Sequence, residues 1–310
     1  MYTKKSSCNG YCTYSKDNQF CLGCLRTPNE ITNWSITSDI NKKRIELTSP
    51  QRRFNLSEDS FIKDQLGNYI AVDKQFKKVI SLVPSITQTF IDLGLQNCVV
   101  GHTKFCPQPN KHSIIIGGTK NLNFDNIYNL DTDLIAASKE ENTQEEISRL
   151  QEHYKVFITD VTDFEDSLSM IETFAEVFNR KTEAYDLIHQ TLEKLSHLEG
   201  QFNGQTCAYL IWKKPYMVAG NDTFIQSWLK HLGFINVFND EPRYPIIDLD
   251  NLVKLNPDVL FLPTEPYHFQ TENSQELIEA MPHSKIWFID GRTFSWFGSH
   301  MLKASENLLL

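Results

Sequence analysis

Four cysteines, Cys8, Cys12, Cys21 and Cys24, stand within seventeen residues near the start of the chain with the spacing C-x3-C-x8-C-x2-C. Four thiolates can surround one tetrahedral ion, and the turn Cys21-Leu22-Gly23-Cys24 lets two sulfurs face the same metal. Zinc is expected first and iron second, since an iron–sulfur cluster also takes four thiolates. Two disulfides are disfavoured in a reducing compartment, and a redox-active Cys-x-x-Cys belongs in a strand–helix setting that this segment lacks. Cys98, Cys106 and Cys207 lie far apart. Cys98 and Cys207 fall in apolar runs, where an inert buried thiol is expected. No nucleophile elbow, phosphate loop, HExxH pair or triad spacing is present, so no enzyme is expected.

Charge separates the same segment from the rest. Residues 1–54 carry nine Lys or Arg against four Asp or Glu, whereas the whole chain of 310 residues has a net charge of −9. Lys42, Lys43, Arg44, Arg52 and Arg53 read as a solvated basic face rather than a nucleic-acid contact. The composition, 40% hydrophobic and 22% charged, is that of a globular chain long enough for two or three domains. No run approaches the roughly 18–20 apolar residues of a membrane span. Met1 to Gly10 open on neither an apolar signal core nor a lipoprotein motif, so a cytoplasmic chain is expected, periplasmic only if the true start lies upstream.

The elements that must position any site begin after a linker over 55–75 with one short strand at Tyr69–Val72. From Lys77 onward, short β-rich runs alternate with helical patterns, as parallel α/β architecture requires. Strands are predicted at Lys78–Leu82, Cys98–Gly101, Ser113–Ile116, Leu134–Ala137, Val156–Thr159, Thr206–Trp212, Val259–Leu262 and Ile286–Ile289. Ser85-Ile86-Thr87-Gln88 reads as a capping box opening a helix that closes at Gly94. Apolar residues from Phe164 through Phe174, Phe178 and Ile188 to Leu195 predict one unbroken helix over about 163–198.

The two sides of that helix echo each other. Asp125-Asn126-Ile127, Leu130 and Asp133-Leu134-Ile135 return as Asp250-Asn251-Leu252, Leu255 and Asp258-Val259-Leu260, at a constant offset of 125. Leu93-Gly94-Leu95 with Asn97 returns as Leu232-Gly233-Phe234 with Asn236. The fold class expected is therefore α/β: two Rossmann-like lobes, about 76–162 and 200–310, joined by one long backbone helix and preceded by a small cysteine-rich metal-binding module over 1–54. Ligands of such sheets sit beyond the carboxyl ends of the strands.

Two resemblances follow. Cys21-Leu22-Gly23-Cys24-Leu25-Arg26-Thr27-Pro28, Glu30-Ile31, Trp34 and a basic helix through Arg53 resemble the bacterial cysteine-rich domain-of-unknown-function family 1289 over about residues 5–54, which implies no established activity. Val79-Ile80-Ser81-Leu82-Val83-Pro84-Ser85-Ile86-Thr87, Val100-Gly101-His102-Thr103, Gly117-Gly118, Leu130-Asp131-Thr132-Asp133-Leu134-Ile135 and the long helix resemble another family. It is that of the substrate-binding proteins of bacterial ABC importers for iron-siderophore, haem and cobalamin, the helical-backbone metal receptors of the periplasmic-binding-protein-like superfamily. This resemblance covers about residues 76–310 and implies a metal chelate bound between lobes that move little, without catalysis.

Carried onto this chain, the resemblance places the ligand among Lys104, Phe105, Lys120, Lys139, Glu140, Glu141, Trp212, Lys213, Tyr216, Glu265, Tyr267 and Trp296, with His300 beside them. The lysines would converge on carboxylates or phosphates, the glutamates or His300 on an ion, and the aromatic rings would stack on a planar body. Cobalamin binders of the family tend to carry Trp where this chain has Ser138-Lys139-Glu140-Glu141-Asn142, which argues against cobalamin. Asp125 and Asp250 match the acids with which the family engages its permease, although the expectation for each is the N-cap of the helix that follows. The function expected is a non-catalytic cytoplasmic receptor or sensor for a metal chelate or anionic cofactor, siderophore-, haem- or corrinoid-like. The alternative is the substrate-binding component of an ABC importer for iron or cobalamin. Its partners would be the small-molecule chelate and either an ABC permease or a cytoplasmic protein, with nucleic acid not expected.

Overall fold

A computed structural model describes residues 25–49, 61–72 and 74–308. Cys8, Cys12, Cys21 and Cys24 lie outside the described residues, as do Arg52 and Arg53. Two compact units are present, Met1–Ile62 with Ala71–Lys74, and Lys63–Ile70 with Gln75–Leu310.

In the first unit the motif around Arg26 proves to be helix-building chemistry. α1 (Pro28–Thr32) starts with Pro28 in its first turn, where the missing N–H costs nothing. Thr27 accepts from the Glu30 amide at 3.2 Å while the Glu30 carboxylate accepts from the Thr27 amide at 2.8 Å, a complete capping box. The Arg26 guanidinium lies 3.3 Å from the centre of the Trp34 ring and 3.4 Å from Glu46 of α2 (Asp39–Thr48). The basic helix expected to run through Arg53 is described as far as Thr48, with Ser49 as its C-cap, and the rest of that expectation lies outside the described residues.

Strands β1 (Phe61–Lys63) and β2 (Tyr69–Ala71) form a hairpin inside the segment expected to be a linker. The second unit uses its tip. Asp64 accepts from the Leu66 and Asn68 amides at 3.0 and 2.8 Å, closing the turn. Gln65 bonds to the Asp166 carbonyl at 2.7 Å and to the Asp160 amide at 3.0 Å, holding the tip against the lobe that follows.

Lobe 1 contains β3 (Val79–Ser81), α3 (Pro84–Asp92), β4 (Val99–His102), β5 (Ile114–Ile115), the hairpin β6 (Gly117–Gly118) and β7 (Asn121–Leu122), α4 (Phe124–Tyr128), β8 (Leu134–Ser138), α5 (Gln144–Gln151) and β9 (Val156–Thr159). Its sheet has the order β5-β4-β3-β8-β9, all parallel. The chain leaves β3 first to one side and then to the other, so the switch point lies at the carboxyl ends of β3 and β8. α3 opens differently from expectation. Val83 is its N-cap without a side-chain bond and Pro84 enters its first turn, which moves Ser85 inside the helix. Thr87 then bonds back to the Val83 carbonyl and to Ser81.

Two helices follow, α6 (Phe164–Val177) and α7 (Lys181–Leu198). The expected single helix is broken at Asn179, which adopts φ 55°. The Arg180 amide reaches the Ala175 carbonyl at 2.7 Å and the Asn179 amide the Glu176 carbonyl, a left-handed cap that Asn tolerates in place of Gly. Apolar periodicity continues across the break, which is why it reads as one helix.

Lobe 2 holds β10 (Thr206–Trp212), β11 (Tyr216–Val218), α8 (Phe224–His231), β12 (Ile235–Asn236), β13 (Ile246–Ile247), α9 (Leu249–Leu255), β14 (Val259–Pro263), α10 (Thr271–Ala280), β15 (Lys285–Ile289), α11 (Arg292–Ser295) and α12 (His300–Leu308). Its own sheet runs β13-β11-β10-β14-β15, with β12 also beside β10. All eight strands predicted in the α/β region are present, to within a residue or two at their ends. The short β11, β12 and β13 were not legible.

α6 bridges the lobes. Its Phe174 ring is 4.8 Å from Phe90 and 5.0 Å from Phe157 of lobe 1, and its Phe164 ring is 4.8 Å from Trp228 of lobe 2. Burying one such ring contributes about 1.5–3 kcal/mol. The segment before α12 crosses back: Gly298 donates to Ser167 at 2.7 Å and Ser299 to Thr89 at 3.1 Å, both buried. Gly298 has φ +76°, and a Cβ there would lie 2.1 Å from the Thr89 hydroxyl. Only glycine fits that crossing.

Candidate functional site

Each cleft loop leaves the carboxyl end of a strand and is pinned from within. After β8, the buried Asn142 accepts from the Ser138 amide at 2.8 Å and donates to the Thr119 carbonyl at 2.8 Å. That five-residue turn presents Glu140 and Glu141 to lobe 2. Tyr244 donates to Glu140, and the Arg243 guanidinium lies 3.2 Å from the same carboxylate oxygen, so the lobes meet through polar groups. Burial, then the neighbouring Glu140 carboxylate, pushes the Tyr244 phenol well above its ordinary range.

After β14, Glu265 accepts from the Trp296 indole at 2.9 Å. Gly291 packs so closely on Glu265 that a Cβ would lie 2.5 Å from its carbonyl oxygen. After β15, Asp290 grips Arg292 with both carboxylate oxygens, at 3.0 and 2.6 Å. Burial, then the Glu140 charge, raises the Glu141 carboxyl despite Lys120, and Glu265 adds to it. Burial likewise raises Glu265 despite the Trp296 bond. Burial, with Arg292 and Lys303 nearby, lowers His300 to about 4.

A cavity of about 1500 Å³ opens here, lined by Phe105 and Cys106 of lobe 1, Asp186 of α7, and Glu265, Trp296 and His300 of lobe 2, among others. Cys106 meets Thr103 at 3.1 Å and is raised by burial, which makes it a poor nucleophile.

The expected site residues divide. Phe105, Glu265 and Trp296 line the cavity, and Glu140 and Glu141 stand at the lobe junction. Trp212 and Tyr267 pack edge to face at 5.6 Å, and Tyr267 leans on Phe269, so both belong to a lobe 2 aromatic cluster. The expected convergence of lysines does not form. Lys139 pairs with Asp160 at 2.6 Å, Lys213 is held by the Asn273 carbonyl and by Glu276 at 3.8 Å, and Lys104 lies over its neighbour Phe105 at 5.0 Å. Lys120 is exposed on the β6–β7 turn, and Tyr216 bonds to Glu276 at 3.0 Å. Long flexible amines settle on the nearest carboxylate or carbonyl, which strand-end position alone does not reveal.

Asp125 and Asp250 are exposed in the first turns of α4 and α9, but neither is the N-cap. Asn123 and Asp248 hold that place, bonding the Asn126 and Asn251 amides at 3.0 and 2.6 Å. Sequence reading missed Arg243, Tyr244, Asp290, Arg292 and Ser299. Asp290-Gly291-Arg292 ends a predicted strand, a usable signal; Arg243 and Tyr244 sit in an aperiodic loop that offers none. Among the described residues no group of three or more His, Cys, Asp or Glu is placed to hold a metal ion, and no helix is long and apolar enough to cross a membrane.

Comparison with known proteins fits this geometry. The family described as periplasmic binding protein matches residues 79–287. The chain belongs to that family. Within the periplasmic binding proteins it is similar to the ABC transporter substrate-binding lipoprotein YvrC of Bacillus subtilis (strain 168), itself uncharacterized, at 23% identity over 80% of this chain and 83% of the relative. Its fold is that of the petrobactin-binding protein YclQ of Bacillus subtilis (TM-score 0.66, 17% identity, 82% of this chain and 96% of the other). It is likewise that of the vitamin B12 binding protein BtuF of Vibrio cholerae (TM-score 0.63, 17% identity, 76% and 95%). Residues 6–53 match a second family, a protein of unknown function (DUF1289).

Proposed function

We propose that the protein is the substrate-binding component of an ABC importer for a metal chelate of the siderophore, haem or cobalamin type, held between the two lobes without catalysis. The observation that carries this is the cavity at the strand ends, with Phe105 on one lobe facing Glu265 and Trp296 on the other. The relatives support it: YvrC is a substrate-binding lipoprotein of an ABC transporter, and YclQ and BtuF bind petrobactin and vitamin B12. They favour an importer component over the cytoplasmic receptor or sensor expected first. Asp125 and Asp250, exposed at corresponding places on the two lobes and not needed as caps, are suited to engage a permease. Fractionation of the native host tests location: a chain confined to the cytoplasm would return the reading to a receptor.

Titration of the full chain with ferric siderophores, haem and cobalamin, read by tryptophan fluorescence, tests the site. One class should bind, and Trp296→Ala should weaken it at least about tenfold, as loss of a stacked ring does. Absence of binding by every class would overturn the proposal. For the amino-terminal unit we propose one zinc ion, or iron, on Cys8, Cys12, Cys21 and Cys24. Elemental analysis should find one metal per chain, lost in the Cys21→Ser/Cys24→Ser variant.

A further inference from the structure

Resting on that reading of the cleft, we propose that the ligand carries positive charge: a cationic metal chelate taken between carboxylates of the two lobes beside an aromatic wall. Six Asp or Glu side chains line the cavity against Arg292 and Lys303. Arg292 is already neutralised by Asp290 through both carboxylate oxygens, and Lys303 is exposed to solvent. The lysines that would offset the acids are turned elsewhere, Lys139 to Asp160 and Lys213 to Glu276.

Asp92 of lobe 1 and Glu265 of lobe 2 are among the lining acids, and Glu141 of lobe 1 stands beside the cavity, near enough to Glu265 for that charge to act on it. Among the described residues no lysine or arginine nitrogen forms a salt bridge with Glu141 or Glu265. Lys120 and Arg292 act on them only at longer range. Partly desolvated carboxylates without a counter-ion repel each other, and a positive group bound beside them relieves that repulsion.

A second observation points the same way. Ser299 lines the cavity and is 3% exposed, yet its hydroxyl has no hydrogen-bond partner. The Tyr209 hydroxyl, also fully buried and unpartnered, lies close enough to feel Glu265 and Asp290. Buried hydroxyls are normally satisfied, so that of Ser299, which lines the cavity, awaits a group that the protein itself does not supply. An ammonium has donors only, which complement carboxylates and a hydroxyl lone pair. An anionic chelate would enter a field of its own sign.

Calorimetric titration of the full chain with four probes tests this: ferrioxamine B, a ferric hydroxamate with a pendant ammonium; its neutral N-acetyl derivative; anionic ferric citrate; and spermidine, a cation without metal. Ferrioxamine B should bind at least about tenfold more tightly than its N-acetyl form, and added salt should narrow the gap. Glu141→Gln and Glu265→Gln, with melting curves to confirm folding, should weaken ferrioxamine B and spare the N-acetyl form. Equal binding of the charged and neutral chelates, or a preference for ferric citrate, would overturn the charge inference and leave the chelate-binding cleft standing. Spermidine binding as tightly as ferrioxamine B would uphold the charge inference while sinking the metal-chelate reading. No binding by any probe would sink both.

Discussion

In lobe 1 the five-stranded sheet is wholly parallel, and the cleft rim is made of short turns carrying Lys104, Lys120, Glu140 and Glu141. In lobe 2 the chain doubles back after β10 into the antiparallel β11 and β13, and the rim carries Trp212, Tyr267, Glu265 and Trp296. At the opposite ends of the sheets the lobes agree closely. Asp133 accepts from the Lys77 and Lys78 amides at 2.9 and 3.0 Å just before β3, and Asp258, 125 residues later, accepts from the Thr206 amide at 2.8 Å at the start of β10. Gly94 and Gly233 both take positive φ where α3 and α8 end. The repeated residues include the glycines that end helices and the aspartates that anchor strand starts, while the residues at the cleft differ. A common frame thus carries two unlike walls, and only their meeting makes a site.

Breaking the join between the lobes should have the largest effect. Gly298→Val forces a branched side chain into a left-handed position against Thr89, and the expected loss is about 3 kcal/mol or more in urea denaturation. A loss below about 1 kcal/mol would show that the crossing segment does not hold the lobes.

His300 of lobe 2 makes the comparison pH-dependent, because it is buried beside Arg292 and Lys303. Its folded value of about 4 lies below the ordinary imidazole value of about 6.5. Between these values the unfolded chain binds more protons, so stability rises with pH through the window and is lost as pH falls through it. His300→Gln should flatten the melting-temperature profile between about pH 4 and 6.5. An unchanged slope would place the titration elsewhere.

The matched anchors sharpen the comparison. Asp133→Ala and Asp258→Ala should lower the melting temperature by similar amounts, a few degrees each, since both orphan backbone donors at equivalent strand starts. The Thr206 hydroxyl and amide hold the Asp258 carboxyl below its usual range. Its contribution is therefore complete above about pH 4 and fades as pH drops further. A large effect in one lobe alone would deny the equivalence.

The smallest expected effects fall on Lys139→Met and Lys213→Met, one from each lobe. Both amines have partners away from the cavity, so chelate affinity should change by less than about twofold in calorimetry. A tenfold loss in either would return that lysine to the site.

Much of the frame was legible in order along the chain. Parallel strands announce themselves as buried apolar runs, and both Leu-Gly helix ends and the 125-residue echo are local or periodic signals. The break at Asn179 was hidden because apolar spacing continues through it and Asn, unlike Gly, does not advertise a left-handed residue. The capping box at Ser85 failed because Pro84 can start a helix one residue earlier. Of the site, Phe105, Glu265 and Trp296 were legible as strand-end residues, and Tyr244 and Ser299 were not.

By itself the sequence determined two α/β lobes, the helical segment between them and the strand ends at which the candidate site lies, because hydrophobic period and turn chemistry are properties of neighbouring residues. Only the tertiary structure decided which charges face the cavity. A lysine on a strand-end loop and a glutamate on the next look equally available in one dimension. In three, Lys139 lies 2.6 Å from Asp160, while Glu141 and Glu265 arrive from opposite lobes with no salt-bridge partner among the described residues. Charge pairing between residues distant in the chain is set by packing distance, and the interaction falls off too steeply with ångströms for any spacing along the chain to foretell.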